Sequence, residues 1–212
     1  MDMLTRLVLI GGGGHCRSCL DVIEAVGTFE VAAVLDLPAR VGQHVLGHPI
    51  TGTEADIPEL ARQGCEFLVT LGQIHKPERR MELFAAVLAA GGRPATVVSP
   101  LARVSPHAQV GEGSIVMHFA MVNAGAEVGR NCIINTRALI EHDARVGEHC
   151  HMSTGAILNG GASLGEGSFL GSGAVVREGL RLGRGCVVGM GSTVLADIPD
   201  GARALGKWPV SG

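Results

Sequence analysis

An imidazole flanked by two carboxylates, Glu141-His142-Asp143, is the most chemically loaded triplet in the chain. A carboxylate beside a histidine fixes its tautomer and stabilises the imidazolium form, as a general base requires. His142 stands two places after Ile140, an apolar residue of the repeat described below, so it projects outward at an edge. His151, nine residues on, lies on a following side and could face the same groove. The bland alternative is a pair of surface histidines on a polar face. A metal site wants three convergent N, S or O ligands, and His118, His142, His149 and His151 offer no such spacing, so no metal is expected.

A second constellation lies near the start. Gly11-Gly12-Gly13-Gly14-His15 follows the apolar run RLVLI (6–10) and precedes a helical pattern. Bare backbone amides at a strand-to-helix turn can approach a phosphate, helped by the helix N-terminus. Asp36, closing the next apolar run, sits about where a ribose-binding acid sits in Rossmann units. Cys16 takes the place of the third glycine of GxGxxG, and the unit is half the size of a dinucleotide module. A mononucleotide-type ligand is therefore favoured over NAD, and a tight turn with no ligand is the alternative. Cys16 and Cys19 also form a CxxC, but no Trp-Cys motif or metal partner pair supports a redox or metal reading.

The elements that must position these groups are legible from period. From Val104 to Val194 every sixth residue is aliphatic or Met, through sixteen hexads without a slip. Four places after each stands a second column, Ala, Ser or Cys in fourteen of the sixteen cases. A six-residue period fits neither a helix nor an amphipathic strand and marks a stacked solenoid, here a parallel β-helix with three hexads to a triangular turn. The large aliphatics point into the prism and the small residues sit near its corners. Pairs such as Gly111/Gly113, Gly165/Gly167 and Gly183/Gly185 are expected to supply turn conformations. Sixteen hexads make about five coils, roughly 25 Å tall at the ~4.8 Å spacing of paired strands.

Before the solenoid, strands and helices alternate. RLVLI leads to GGGGH and a helix ending at Gly27; VAAVLD (31–36) is a second strand, VLGHPITG (45–52) a turn and short strand, TEADIPELARQG a helix capped by Thr53, FLVTLG (67–72) a third strand and PERRMELFAAVLAAGG a third helix. That alternation predicts a small parallel α/β domain over 1–98, with the β-helix domain over 99–212 and the boundary near Ser99-Pro100.

Composition agrees. Among 212 residues aromatics are 3%, with no Tyr and one Trp, and Gly reaches 32, which suits a narrow prism with no room for rings. A net charge of −3 gives no reason to expect nucleic acid or an anionic membrane as partner. No apolar stretch approaches 18 residues, and MDMLTRLVLIGGGGH reads as a strand rather than a signal peptide, so a cytoplasmic protein without membrane insertion is expected. Cys132, Cys150 and Cys186 occupy the small-residue column as compact apolar groups, not as disulfide partners.

The motifs IGGGGH, VLD, LGHPITG, LVTLG, VSP and INTRALIEHDARVGEHCHMSTGAILNGGASLGEGSFLGSGAVV together give the chain a resemblance over nearly its whole length. It resembles the bacterial nucleotide-sugar acetyltransferases of the PglD/NeuD-like group. The resemblance implies a homotrimer of chains, each with a Rossmann-like N-terminal domain before a left-handed β-helix. It also implies acetyl-CoA as co-substrate between neighbouring β-helices and a nucleotide-linked amino sugar on the N-terminal domain. It assigns His142 as the base that deprotonates the attacking amine and Asp143 as its support. His151 would lie near acetyl-CoA, the Gly160 amide would meet the oxyanion, and Ser172 and Met190 would line the coenzyme. Gly14, His15, Asp36 and Gly72 would contact the sugar nucleotide. The implied reaction is N-acetylation of a 4-amino-4,6-dideoxyhexose; O-acetylation of a sialic acid and a non-catalytic binding protein are the alternatives. Gln73-Ile74 after LVTLG, Cys16-Arg17 in the glycine loop and Gly206-Lys207-Trp208-Pro209-Val210 depart from the family pattern, and Trp208 is expected near the coenzyme.

Overall fold

A computed structural model describes residues 4–74 and 76–209; Met1 to Met3, part of the N-terminal strand reading, and Val210 of the C-terminal segment lie outside them. Apolar RLVLI forms the centre of the first domain. Strand β1 (Thr5–Ile10) is flanked by β2 (Phe29–Leu35) and β5 (Glu66–Val69), and the sheet runs β3-β4-β2-β1-β5-β6 with β3 (His44–Val45), β4 (His48–Gly52) and β6 (Arg93–Pro94) outermost. All pairs are parallel except the β3–β4 hairpin. Alternation along β1 sends Leu7 and Leu9 into one core and Val8 and Ile10 into the other, as expected for a sheet covered on both faces. Helix α1 (Gly14–Val26) covers the first side and stops at Gly27, left-handed at φ 70°; α2 (Ile57–Arg62) and α3 (Glu78–Ala89) cover the second. Cys16 and Cys19 are fully buried in α1, and burial pushes both thiols up, which leaves them unreactive packing groups.

The prism has three parallel faces, of seven, seven and five strands. The first begins at Val97–Val98, which pairs with Ile115–Val116, and carries Ile133–Ile134, His151–Met152 and Phe169–Leu170 in 18-residue steps. The second begins at Arg103–Val104 and the third at Gln109–Val110. The column Val116, Val122, Val128 and onward fills the interior with the Ala and Cys column beside it. The period shortens at the top: Leu182 pairs with Ile198, Val188 with Ala204 and Val194 with Trp208. Trp208 rests against the interior and donates its indole N–H to the Asp197 carbonyl at 3.1 Å, so it closes the end of the prism.

The paired glycines divide their work. Gly113, Gly167 and Gly185 have φ between 60° and 74°. Their partners serve close stacking instead: a Cβ on Gly111 would lie 2.6 Å from the Gly129 carbonyl carbon of the next coil. The left-handed position recurs every six residues from Gly113 to Gly191. Five of its occupants are not glycine: Phe119, Asn131, Arg137, Asp143 and His149. Such a backbone costs a residue with a Cβ about 1–2 kcal/mol.

The three outer surfaces differ. On the first face Val97, Ile115 and Ile133 are buried beneath Leu20 and Ile23 of α1, so the two domains share a core. Arg80 of α3 pins the other side: its guanidinium, 1% exposed, donates to the Val69, Leu71 and Asn131 carbonyls and to Asn131 Oδ1 at 2.7–3.0 Å. The third face presents Gln109, Glu127, Arg145, Ser163 and Arg181 to solvent. The second presents Met121, Leu139, Ile157 and Val175, an exposed to half-exposed apolar stripe that no other element among the described residues covers. Among the described residues no helix is long and apolar enough to cross a membrane.

Candidate active site

His142 lies at the edge where the apolar second face turns into the third, between Leu139–Ile140 and Arg145–Val146. Its partner is held by the strained turn: Asp143, at φ 58°, brings Oδ2 to 2.9 Å from His142 Nδ1. A carboxylate only accepts, so Nδ1 carries the proton and Nε2 is left with its lone pair open. The bond to Asp143 raises the His142 pKa above its ordinary value. Glu141 supports the turn from below, accepting from Asn123 Nδ2 at 2.9 Å and from the His142 N–H at 3.2 Å.

Two glycines one coil away seat this pair. Gly160, 18 residues after His142, lies against the ring: a Cβ there would stand 2.7 Å from Nε2. Gly125, 18 residues before Asp143, lies under the carboxylate, where a Cβ would overlap Asp143 Oδ1. The Gly160 N–H makes no backbone hydrogen bond among the described residues, so it can donate to an atom bound beside Nε2. Ser172 and Met190 are exposed on the opposite edge of the same second face, with Met190 at 81%. His142, Gly160, Ser172 and Met190 therefore border one apolar surface from its two sides.

His151 does not join them. It sits on the first face, 6% exposed, against the α/β domain. Nδ1–H donates to the Gln73 carbonyl at 2.6 Å, Nε2 accepts from Asn135 Nδ2 at 3.2 Å, and Phe169 packs edge-on at 5.2 Å. Its neighbour across the domain junction is His15, with ring centroids 6.2 Å apart, and Gly72 lies against His15 in turn. Burial depresses both histidines, His151 to about 4 and His15 to about 3. Among the described residues, the Nε2 of His15 and the Oε1 of Gln73 are buried without a partner.

The glycine loop borders a cavity of about 490 Å³ at the carboxyl ends of β1, β2 and β5, the place where open α/β sheets take ligands. Gly11 needs its φ of 110°, and a Cβ on Gly12 would press Ile50 and Asp36. Asp36 is less free than its sequence position suggests: Oδ2 takes the Gly12 N–H at 2.7 Å and Arg40 Nη1 at 2.6 Å, while Oδ1 takes the Leu37 N–H. Gly13 and Gly14 face open space at the start of α1. Arg40, Glu54 and Arg79, all near this cavity, went unread in the sequence. No group of three or more metal-ligating side chains converges among the described residues.

A triangular prism of hexads with an acid-supported imidazole at one corner defines an acyltransferase of the hexapeptide-repeat class. Family models agree: residues 6–85 match the PglD N-terminal domain and residues 161–196 the hexapeptide repeat of succinyl-transferase. No curated protein matches in sequence. Among solved structures, the acetyltransferase domain of PglB from Neisseria gonorrhoeae is 32% identical over 95% of this chain and 96% of its own, with TM-score 0.87. That domain has also been solved with acetyl coenzyme A. PerB from Caulobacter crescentus, in complex with CoA and GDP-perosamine, is 36% identical over 95% of this chain and 94% of its own, with TM-score 0.88. WeeI from Acinetobacter baumannii, 20% identical with TM-score 0.85 over 95% of this chain and 97% of its own, shares the fold. The chain belongs to the PglD-like family of bacterial sugar N-acetyltransferases, and its fold is theirs: an α/β domain before a left-handed β-helix.

Proposed function

We propose that the protein transfers acetyl from acetyl-CoA to the amine of a nucleotide-linked 4-amino-4,6-dideoxyhexose, with His142 as general base. The observation that carries this reading is the His142–Asp143 pair, which fixes Nδ1 and leaves Nε2 open beside Gly160. The amine nitrogen attacks the thioester carbonyl, forming the C–N bond and placing negative charge on oxygen. The Gly160 N–H donates to that oxygen. Nε2 takes the amine proton, the C–S bond breaks, and the proton passes to the departing thiolate, which regenerates the neutral imidazole. No acyl-enzyme is involved.

The working form is a homotrimer in which the stripe of Met121, Leu139, Ile157 and Val175 is buried against a neighbouring prism. The His142 corner then lines a cleft in which Gly160, Ser172 and Met190 contact acetyl-CoA, and His151 braces the wall behind Asn135 and Thr136. The nucleotide lies on the α/β domain along Asp36, Gly14, His15 and Gly72. PerB with GDP-perosamine supports this acceptor class, and the Neisseria domain with acetyl coenzyme A supports the donor. The test is release of CoA thiol with GDP-, UDP- and dTDP-linked 4-amino sugars and with free sialic acid. Turnover confined to a nucleotide-linked amine is the expected result; acetylation of sialic acid alone, or binding without turnover for every acceptor, overturns the reading.

A further inference from the structure

The cavity at the carboxyl ends of β1, β2 and β5 is built mostly of aliphatic side chains, Ile10, Leu35, Leu37, Leu71 and Leu83 among them. Such a slot suits a flat ring. Among the described residues its charged lining groups are Asp36, Glu54 and Arg79. Asp36 is committed to Gly12 and Arg40 at the end nearest the glycine loop, which leaves the far wall to Glu54 and Arg79. These two are paired with each other, through Glu54 Oε2 and Arg79 Nη2, and Arg79 is steadied by Glu82 at 3.1 Å. Glu54 Oε1, the second lone pair of Oε2 and the guanidinium N–H groups without a partner among the described residues remain to meet a ligand. The wall thus offers a carboxylate next to a fan of donors.

We infer that this wall reads guanine, so that the acceptor is a GDP-linked sugar. This rests on the nucleotide-sugar reading above. Guanine places two donors side by side, N1–H and the 2-amino group, followed by the O6 acceptor. Glu54 Oε1 takes the 2-amino group, Oε2 takes N1–H on the lone pair that Arg79 leaves, and the neighbouring guanidinium donates to O6. Uracil and thymine run acceptor, donor, acceptor, so a carboxylate set against N3–H is brought against a carbonyl oxygen as well. Adenine and cytosine each offer one donor beside an acceptor. Only guanine matches the order of charges on the wall. With the base there, its ribose lies toward Asp36 and its diphosphate toward the open amides of Gly13 and Gly14.

Calorimetric titration of the full chain with GDP, IDP, UDP and dTDP tests the assignment. A bidentate contact of this kind discriminates by roughly 10- to 100-fold, so GDP should bind that much more tightly than UDP or dTDP. IDP, which lacks the 2-amino group, should fall between them. Glu54→Gln, a substitution at a half-exposed side chain, should weaken GDP about tenfold or more and leave UDP nearly unchanged. UDP or dTDP binding as tightly as GDP, or an unaltered GDP-to-UDP ratio in Glu54→Gln, overturns it. Acetyl-transfer assays on the same protein separate the two readings. Turnover with only UDP- or dTDP-linked amines removes the guanine assignment and keeps the enzyme; selective GDP binding without turnover of any acceptor keeps the assignment and removes the enzyme.

Discussion

Alanine at position 160 would put a methyl carbon 2.7 Å from His142 Nε2 and 2.8 Å from Cε1. Non-bonded heavy atoms rest at about 3.5 Å or more, so the imidazole must retreat by on the order of 1 Å. The Gly160 backbone is outside the left-handed region, so alanine is conformationally allowed there, and it keeps the amide N–H. A Gly to Ala change at a permitted position stabilises a fold by about 0.4–1 kcal/mol through the unfolded chain. The damage is therefore confined to where the base sits. Misplacing a reacting group by about 1 Å costs roughly 10²-fold, and losing the base altogether roughly 10²–10⁴-fold. Gly160→Ala should lower kcat/KM by about 10², measured as CoA thiol release, with an unchanged or slightly raised Tm. In a His142→Ala background the same substitution should cost no more than about twofold, because the ring through which it acts is gone. Activity within a few-fold of wild type, or two penalties that multiply, would refute the seating argument.

Asp143→Asn keeps the shape of the turn and replaces the charged acceptor, whose hydrogen bond and then whose charge raise the His142 pKa, with a neutral amide. The acid limb of the pH–rate profile should move to lower pH while the plateau falls; a limb that stays in place would detach Asp143 from the base. Arg80→Ala strips a buried guanidinium from four acceptors and leaves a void, so unfolding free energy should drop by about 3–5 kcal/mol. Denaturant titration checks this, and a loss under about 1 kcal/mol would contradict the role of Arg80 as the inter-domain pin. His15 and His151 have folded pKa values of about 3 and about 4, below the ordinary 6.5. Their contribution is full above the ordinary value and lost as pH falls through the window down to those values, on the order of 3 kcal/mol by pH 5. Urea midpoints at pH 7 and pH 5 should show it, and His15→Gln should remove about half of the difference.

Much of the architecture can be read from the period alone, because each prism position has one steric requirement repeated every six residues. The same arithmetic at 18 residues pairs neighbours along the stack: Asn123 with Glu141, Arg130 with Glu148, Gly125 with Asp143 and His142 with Gly160. The column of left-handed turns holds a further signal. Where glycine is missing there, at Asn131, Asp143 and His149, the side chain makes a specific contact that offsets the strain. His151 was harder to read, since its two ring nitrogens are claimed by Gln73 and Asn135, and Gln73 lies 78 residues away in another domain. Asp36 is similar: the ion pair with Arg40 depends on a short turn that no local pattern announces. The shortened coil at the top follows from Ile198, Ala204 and Trp208 taking the inward places early.

The central claim, that Nε2 of His142 removes the proton from the attacking amine, is tested most directly by steady-state acetyl transfer in His142→Ala. A loss of roughly 10²–10⁴ in turnover with acetyl-CoA binding and Tm retained is the predicted result. Turnover equal to wild type would contradict it.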